Sequence, residues 1–169
     1  MASTYTPIAT TTLGSAAASY TFTSIPSTYT DLVLVFSGTL SSADYVCMRV
    51  GNGSIDTGSN YSHTDLSGNG TSASSSRSSN ATYFFTAPMN TNQNNMIINF
   101  QNYSNTTTNK TALLRWNTPL TDGGATGVVG AEVALWRSTS AINQIRVLTY
   151  AGQNFNTGST FTLYGIQAA

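Results

Sequence analysis

Leu32-Val-Leu-Val-Phe36 and, further along, Met96-Ile-Ile-Asn-Phe100 decide the fold. Both runs are short, rich in β-branched and aromatic residues, and bounded by Ser, Asn, Gly and Thr, which is the composition of a strand. In the first run both alternating sets are apolar, and in the second only Asn99 breaks the pattern. An antiparallel strand with one wet face alternates cleanly, so these strands are expected to be covered on their second face as well, by a long loop or by a neighbouring subunit.

Further runs of the same kind lie at Tyr20–Ile25, Tyr45–Val50, Thr82–Ala87, Ala112–Trp116, Val128–Trp136, Ile145–Tyr150 and Phe161–Ile166. They are punctuated by turn clusters such as Gly51-Asn-Gly53, Gly68-Asn-Gly70 and Asp122-Gly-Gly124. Charged i,i+4 pairs and Ala/Leu/Glu/Lys surfaces, the marks of exposed helices, are missing. The expected fold class is therefore all-β: an antiparallel β-sandwich or jelly roll of about eight to nine strands. Its expected core is Leu32, Leu34, Phe36, Ile98, Phe100, Val133, Leu135, Val147, Phe161 and Leu163. Residues 1–18, small and poor in strand pattern, read as an N-terminal arm, and residues 19–169 as one sandwich domain. The Ser/Asn/Gly-rich stretch 54–80 reads as a long excursion from it, since loops beyond about 15 residues are functional or mobile.

Composition limits the chemistry. Of 169 residues only 7% are charged, six acidic and six basic, with one histidine and one cysteine, against about 25% charged residues in an ordinary soluble domain. At this length one domain buries enough surface to need no staple, and a lone Cys47 in Val46-Cys-Met-Arg-Val50 reads as a small apolar strand residue. Lysines and arginines are scattered singly, which leaves no footprint for nucleic acid. No segment has the run of about 20 apolar residues that crosses a membrane as a helix, and the N-terminus lacks a secretory pattern, so synthesis and residence in the cytoplasm are expected. A surface near zero net charge repels its own copies weakly, which favours assembly.

Catalytic patterns can be drawn but lack support. Ile55-Asp-Thr-Gly-Ser59 is similar to the turn of aspartic proteases, yet it follows Gly51-Asn-Gly-Ser54 rather than an apolar strand, and these are the commonest turn residues. His63 lies two residues before Asp65 but no Gly-x-Ser-x-Gly elbow presents a nucleophile. The aspartates are isolated, without a cation-binding loop. No catalytic residue, metal or cofactor is expected. Carbohydrate binding is the main functional rival: Trp116, flanked by Arg115 and Asn117, offers an aromatic face with hydrogen-bonding neighbours. Against it, Trp116 continues the alternating set Ala112, Leu114, Trp116, which reads as core or interface.

Asp56-Thr-Gly-Ser-Asn-Tyr-Ser62, Gly68-Asn-Gly70 and Ser74-Ser-Ser-Arg-Ser-Ser-Asn80 resemble a recurring stretch in virion structural proteins of tailed phages, including those of cyanobacteria and other aquatic bacteria. Asn102-Tyr-Ser-Asn-Thr106 with Lys110-Thr111, Leu135-Trp-Arg-Ser-Thr139 with Ala141-Ile142, and Gly158-Ser-Thr-Phe-Thr-Leu-Tyr-Gly-Ile166 extend the resemblance from about Tyr5 to the end of the chain. It implies a β-sandwich that serves as a capsid decoration (cement) protein or as the end of a tail-fibre appendage. A fibre tip follows a long shaft, whereas this chain begins at Met1 and reads as one domain, so the expectation is a cement protein on the outer capsid surface. It would form a homotrimer and clamp adjacent major capsid proteins. The candidate contacts are Tyr5 and Ile8 on the arm and His63 and Arg77 on the excursion. The alternative is an appendage that binds a host glycan through Trp116, Arg115 and Asn117.

Overall fold

A computed structural model describes residues 4–119 and 127–167. The protein is an antiparallel β-sandwich, with no helix among the described residues. The larger sheet carries eight strands in the order β1 (Tyr5–Thr12), β13 (Thr160–Ile166), β3 (Asp31–Gly38), β9 (Asn94–Gln101), β10 (Lys110–Thr118), β11 (Val128–Trp136), β6 (Tyr61–Gly68) and β7 (Ala73–Ala81). The smaller sheet runs β2 (Ser19–Phe22), β12 (Gln144–Thr149), β4 (Asp44–Asn52) and β5 (Ser54–Ile55), with β8 (Thr86–Met89) also paired to β4. The division is eight and five, not the two equal halves of an eight-stranded jelly roll.

The two runs that open the sequence sit side by side. Leu32 pairs with Phe100, Leu34 with Ile98 and Phe36 with Met96, and on the other flank Phe36 meets Phe161 and Leu34 meets Leu163. These side chains all point between the sheets and are fully or almost fully buried. The smaller sheet covers them with Val46, Met48, Val50, Ile145 and Val147, and Phe155 meets both Phe36 and Phe161 with ring centroids 5.4 and 5.2 Å apart. Burying a large aliphatic or aromatic side chain is worth about 2 kcal/mol, so this layer supplies the main driving force of folding. On the second face of β3, Val33 is also buried, beside its cross-strand neighbour Tyr164.

Two segments differ from their sequence reading. The described part of the expected arm, residues 4–18, is not free: Tyr5–Thr12 is an edge strand paired along its length with β13, while residues 1–3 lie outside the described residues. Its threonines suit a strand, and Pro7, which has no N–H, is accommodated by a register shift between Pro7 and Ala9. Ile8 packs on the core and Tyr5 meets Tyr164 edge-on at 6.2 Å. Residues 54–80 are not a loop excursion either, because β6 and β7 form a hairpin that extends the large sheet. Its turn is made locally: the Asn69 side-chain oxygen accepts from the amides of Thr71 and Ser72, and Gly70 has φ +88°, which a side chain would disfavour. Arg137 pins the hairpin by donating to Ser62 Oγ, to the Ser59 and Tyr61 carbonyls and to Asn80 Oδ1.

Two core assignments are also corrected. Val133 is 47% exposed and Leu135 half-buried, because the pairing of β11 with β10 and β6 turns Glu132, Ala134 and Trp136 inward instead. The remaining eight expected core residues are buried.

Candidate functional site

The outer face of the large sheet is where the molecule offers a surface. By register, Ile97, Arg115, Ala131 and Leu66 form one row across β9, β10, β11 and β6, and Asn99, Leu113, Val133 and Thr64 form the next. Val129 follows beside Asn117. Ile97, Leu113, Val133, Leu66 and Val129 are 38 to 64% exposed and adjoin one another, so they make one apolar field rather than scattered surface residues. A shallow groove of about 580 Å³ runs over it, bordered by Leu66, Leu113, Arg115, Ala131 and Val133. If each of the five aliphatic side chains gained about 1 kcal/mol on being covered, half of a full burial, the field would supply about 5 kcal/mol to an association.

Arg115 stands inside this field, and Arg77 lies at its edge opposite Thr64. Among the described residues neither has a hydrogen-bonding or ionic partner. Of the five aspartates, Asp31, Asp44, Asp56 and Asp65 each accept hydrogen bonds within their own surroundings, Asp122 lies outside the described residues, and Glu132 is buried on the opposite face. Among the described residues the field is therefore aliphatic around Arg115, and the one exposed-side acid that borders its groove, Asp65, is engaged by Ser76.

Beneath it, on the inner face, lies a polar cluster that the sequence did not disclose. Register sets Glu132 opposite Asp65 and Ala134 opposite His63. Glu132 and His63 are both buried, with His63 Nδ1 3.8 Å from Glu132 Oε1, too far for a hydrogen bond. Burial, reinforced by the charge of Asp65, pushes the Glu132 carboxyl up to about 8. The Thr86 amide opposes that shift without closing a hydrogen bond on either oxygen. Burial also pulls His63 below its ordinary value, against the pull of Asp65 and the Tyr83 carbonyl. At neutral pH the pair is thus an uncharged acid beside an uncharged imidazole. The neighbouring Cys47 is free, buried and held as a thiol well above its ordinary range, chiefly by burial. None of these groups is open to a substrate, and among the described residues no three His, Cys, Asp or Glu side chains are grouped to hold a metal ion.

The expected site residues are dispersed. Tyr5 and Ile8 belong to edge strand β1, Arg77 to the opposite edge β7, and His63 to the interior between the sheets. His63 therefore cannot touch a partner directly, because its place in β6 alternates inward. Arg115 and Asn117 share the outer field, but Trp116 does not: it is 5% exposed, opposite Gly130, where an added Cβ would lie 2.2 Å from the indole. A sugar cannot stack on a ring so placed, which corrects its reading as a glycan contact. The Asp-Thr-Gly turn is structural. Burial pushes Asp56 up, but donors from Trp136 Nε1 (2.7 Å), Asn60 and the Gly58 amide outweigh it and lower its pKa. Lys110, also unforeseen, is buried and donates to the Thr108 and Thr139 carbonyls. Alternation could have suggested that Glu132 lies in register with Ala134 and Trp136, but a glutamate ordinarily marks the wet face.

No family model, curated protein or solved structure matches the chain.

Proposed function

We propose that this chain is a structural protein of a phage virion, a decoration protein on the outer capsid surface that clamps adjacent major capsid proteins. The observation that carries the reading is the aliphatic outer field around Arg115, which has no partner among the described residues. A surface of this kind fits a partner that brings apolar side chains and a carboxylate, a charge pair that gains strength once water is excluded. The described acids of the chain are engaged within their own surroundings, and the reading assigns the complement to a different protein, the capsid lattice. Copies of the chain would meet through edge strand β7, whose outer backbone groups can pair with another strand, to give the homotrimer. Its action would be mechanical: each seated subunit buries interface that rupture of the capsid must expose again. The resemblance to tailed-phage virion proteins supports the same reading. No catalytic step, cofactor, nucleic acid or membrane enters it.

The test is cryo-electron microscopy of a virion that carries the chain, with attachment measured by co-sedimentation. Density at capsid threefold positions, with the outer field facing the lattice, is the expected result. Leu113→Asp and Arg115→Glu should each keep the fold, since both side chains are exposed, and weaken attachment at least tenfold. Density only on the tail, or full attachment by both variants, would refute the proposal.

A further inference from the structure

We propose that three tyrosines on the outer side of the smaller sheet, Tyr45, Tyr83 and Tyr150, form a binding site for a neutral sugar. They come from separate places: Tyr45 from the start of β4, Tyr83 from the segment before β8, and Tyr150 from the residue after β12. Tyr45 and Tyr150 meet with ring centroids 6.5 Å apart and planes at 78°, and Tyr83 and Tyr150 at 5.5 Å and 57°. Tyr45 and Tyr150 are nevertheless more exposed than buried aromatic pairs ordinarily are, and with Thr86 they border a hollow of about 290 Å³. That volume is at the small end for ligand sites and suits one or two sugar rings.

The rings are held in place before any ligand arrives. The Tyr150 amide donates to the Tyr45 carbonyl at 2.8 Å, and the Asp44 carboxylate accepts from the amides of Tyr45 and Ala151 at 2.7 and 2.9 Å. Arg49 lies 4.4 Å over the centre of the Tyr83 ring and donates through Nε to the Thr82 carbonyl at 2.9 Å. A site so ordered loses little entropy on binding. Two rings at a steep angle present a wall and a floor to the apolar C–H face of a pyranose, while the tyrosine and Thr86 hydroxyls can exchange hydrogen bonds with its hydroxyls. Asp44 and Arg49 carry opposite charges and are both engaged, so no net field selects a phosphate or a carboxylate. The chemistry therefore fits an uncharged sugar. This site lies on the other sheet from the proposed capsid contact and does not depend on it.

The test uses the full chain, titrated to millimolar concentration with glucose, galactose, mannose, rhamnose and N-acetylglucosamine and followed by NMR. At least one sugar should give saturable shifts centred on Tyr45, Tyr150 and Thr86. Tyr150→Ala and Tyr45→Ala should each weaken that binding about tenfold, with dispersed spectra showing that the fold is kept, while Leu113→Asp leaves it unchanged. Absence of saturable shifts with every sugar, shifts centred elsewhere, or undiminished binding by both tyrosine variants would overturn the proposal.

Discussion

Replacing Glu132 by Gln should make the protein more stable, and increasingly so as the pH rises. In the folded chain the carboxyl holds its proton until about 8, against 4.5 ordinarily, because burial disfavours the ionised form. The unfolded chain releases that proton from about 4.5 upward, so between these values the folded state binds more protons and stability falls with rising pH, at about 1.4 kcal/mol per unit. His63 acts in the opposite sense. Burial lowers its folded pKa, so below about 6.5 the unfolded chain takes up the proton first and stability falls as the pH drops. The two slopes oppose each other below 6.5, and above it the glutamate slope stands alone until about 8. Wild-type stability should therefore fall less steeply with rising pH below 6.5 than above it, where it should lose about 2 kcal/mol up to pH 8. Glu132→Gln removes only the glutamate slope, so its advantage over wild type should grow by about 4 kcal/mol between pH 5 and 8. Urea unfolding followed by tryptophan fluorescence measures both curves, with equal m-values required for the comparison. A gap that stays constant over this range would refute a protonated, buried Glu132.

Other expectations follow from single contacts. Gly130→Ala places a Cβ 2.2 Å from the Trp116 ring, and because the indole is packed in the core the cost should be about 3 kcal/mol, read as a lower urea midpoint. Asp56→Ala removes the acceptor of the Trp136 indole and of two further donors; it should cost about 2 kcal/mol, and the loss should shrink toward low pH, where the lowered carboxyl of the wild type is itself protonated. Lys110→Met removes a buried ammonium but strands the Thr108 and Thr139 carbonyls; a loss of about 1 kcal/mol is expected in the same assay.

By itself the sequence determined the all-β class and most of the core. Alternation is local, so Leu32, Leu34 and Phe36, or Ile98 and Phe100, announce strands and their buried faces without any neighbour. Charge scarcity is likewise legible at once. Tertiary structure alone decided which polar segments become strands and which face of an ambiguous strand turns inward. Residues 5–12 and 64–81 bury little of their own, and they are strands because β13 and β11 leave backbone donors and acceptors open beside them. In β11 both alternating sets hold apolar residues, and the set containing Glu132 wins the interior because Trp136 and Ala134 belong to it and Gly130 makes room for Trp116. That choice sends Val129 and Val133 outward, completes the outer field around Arg115, and leaves a buried carboxyl between the sheets. The tyrosine cluster has the same origin: its rings are dispersed in sequence and meet because β12 and β8 both pair with β4. A side chain's surroundings depend on register between distant strands, and register is a property of the assembled sheet.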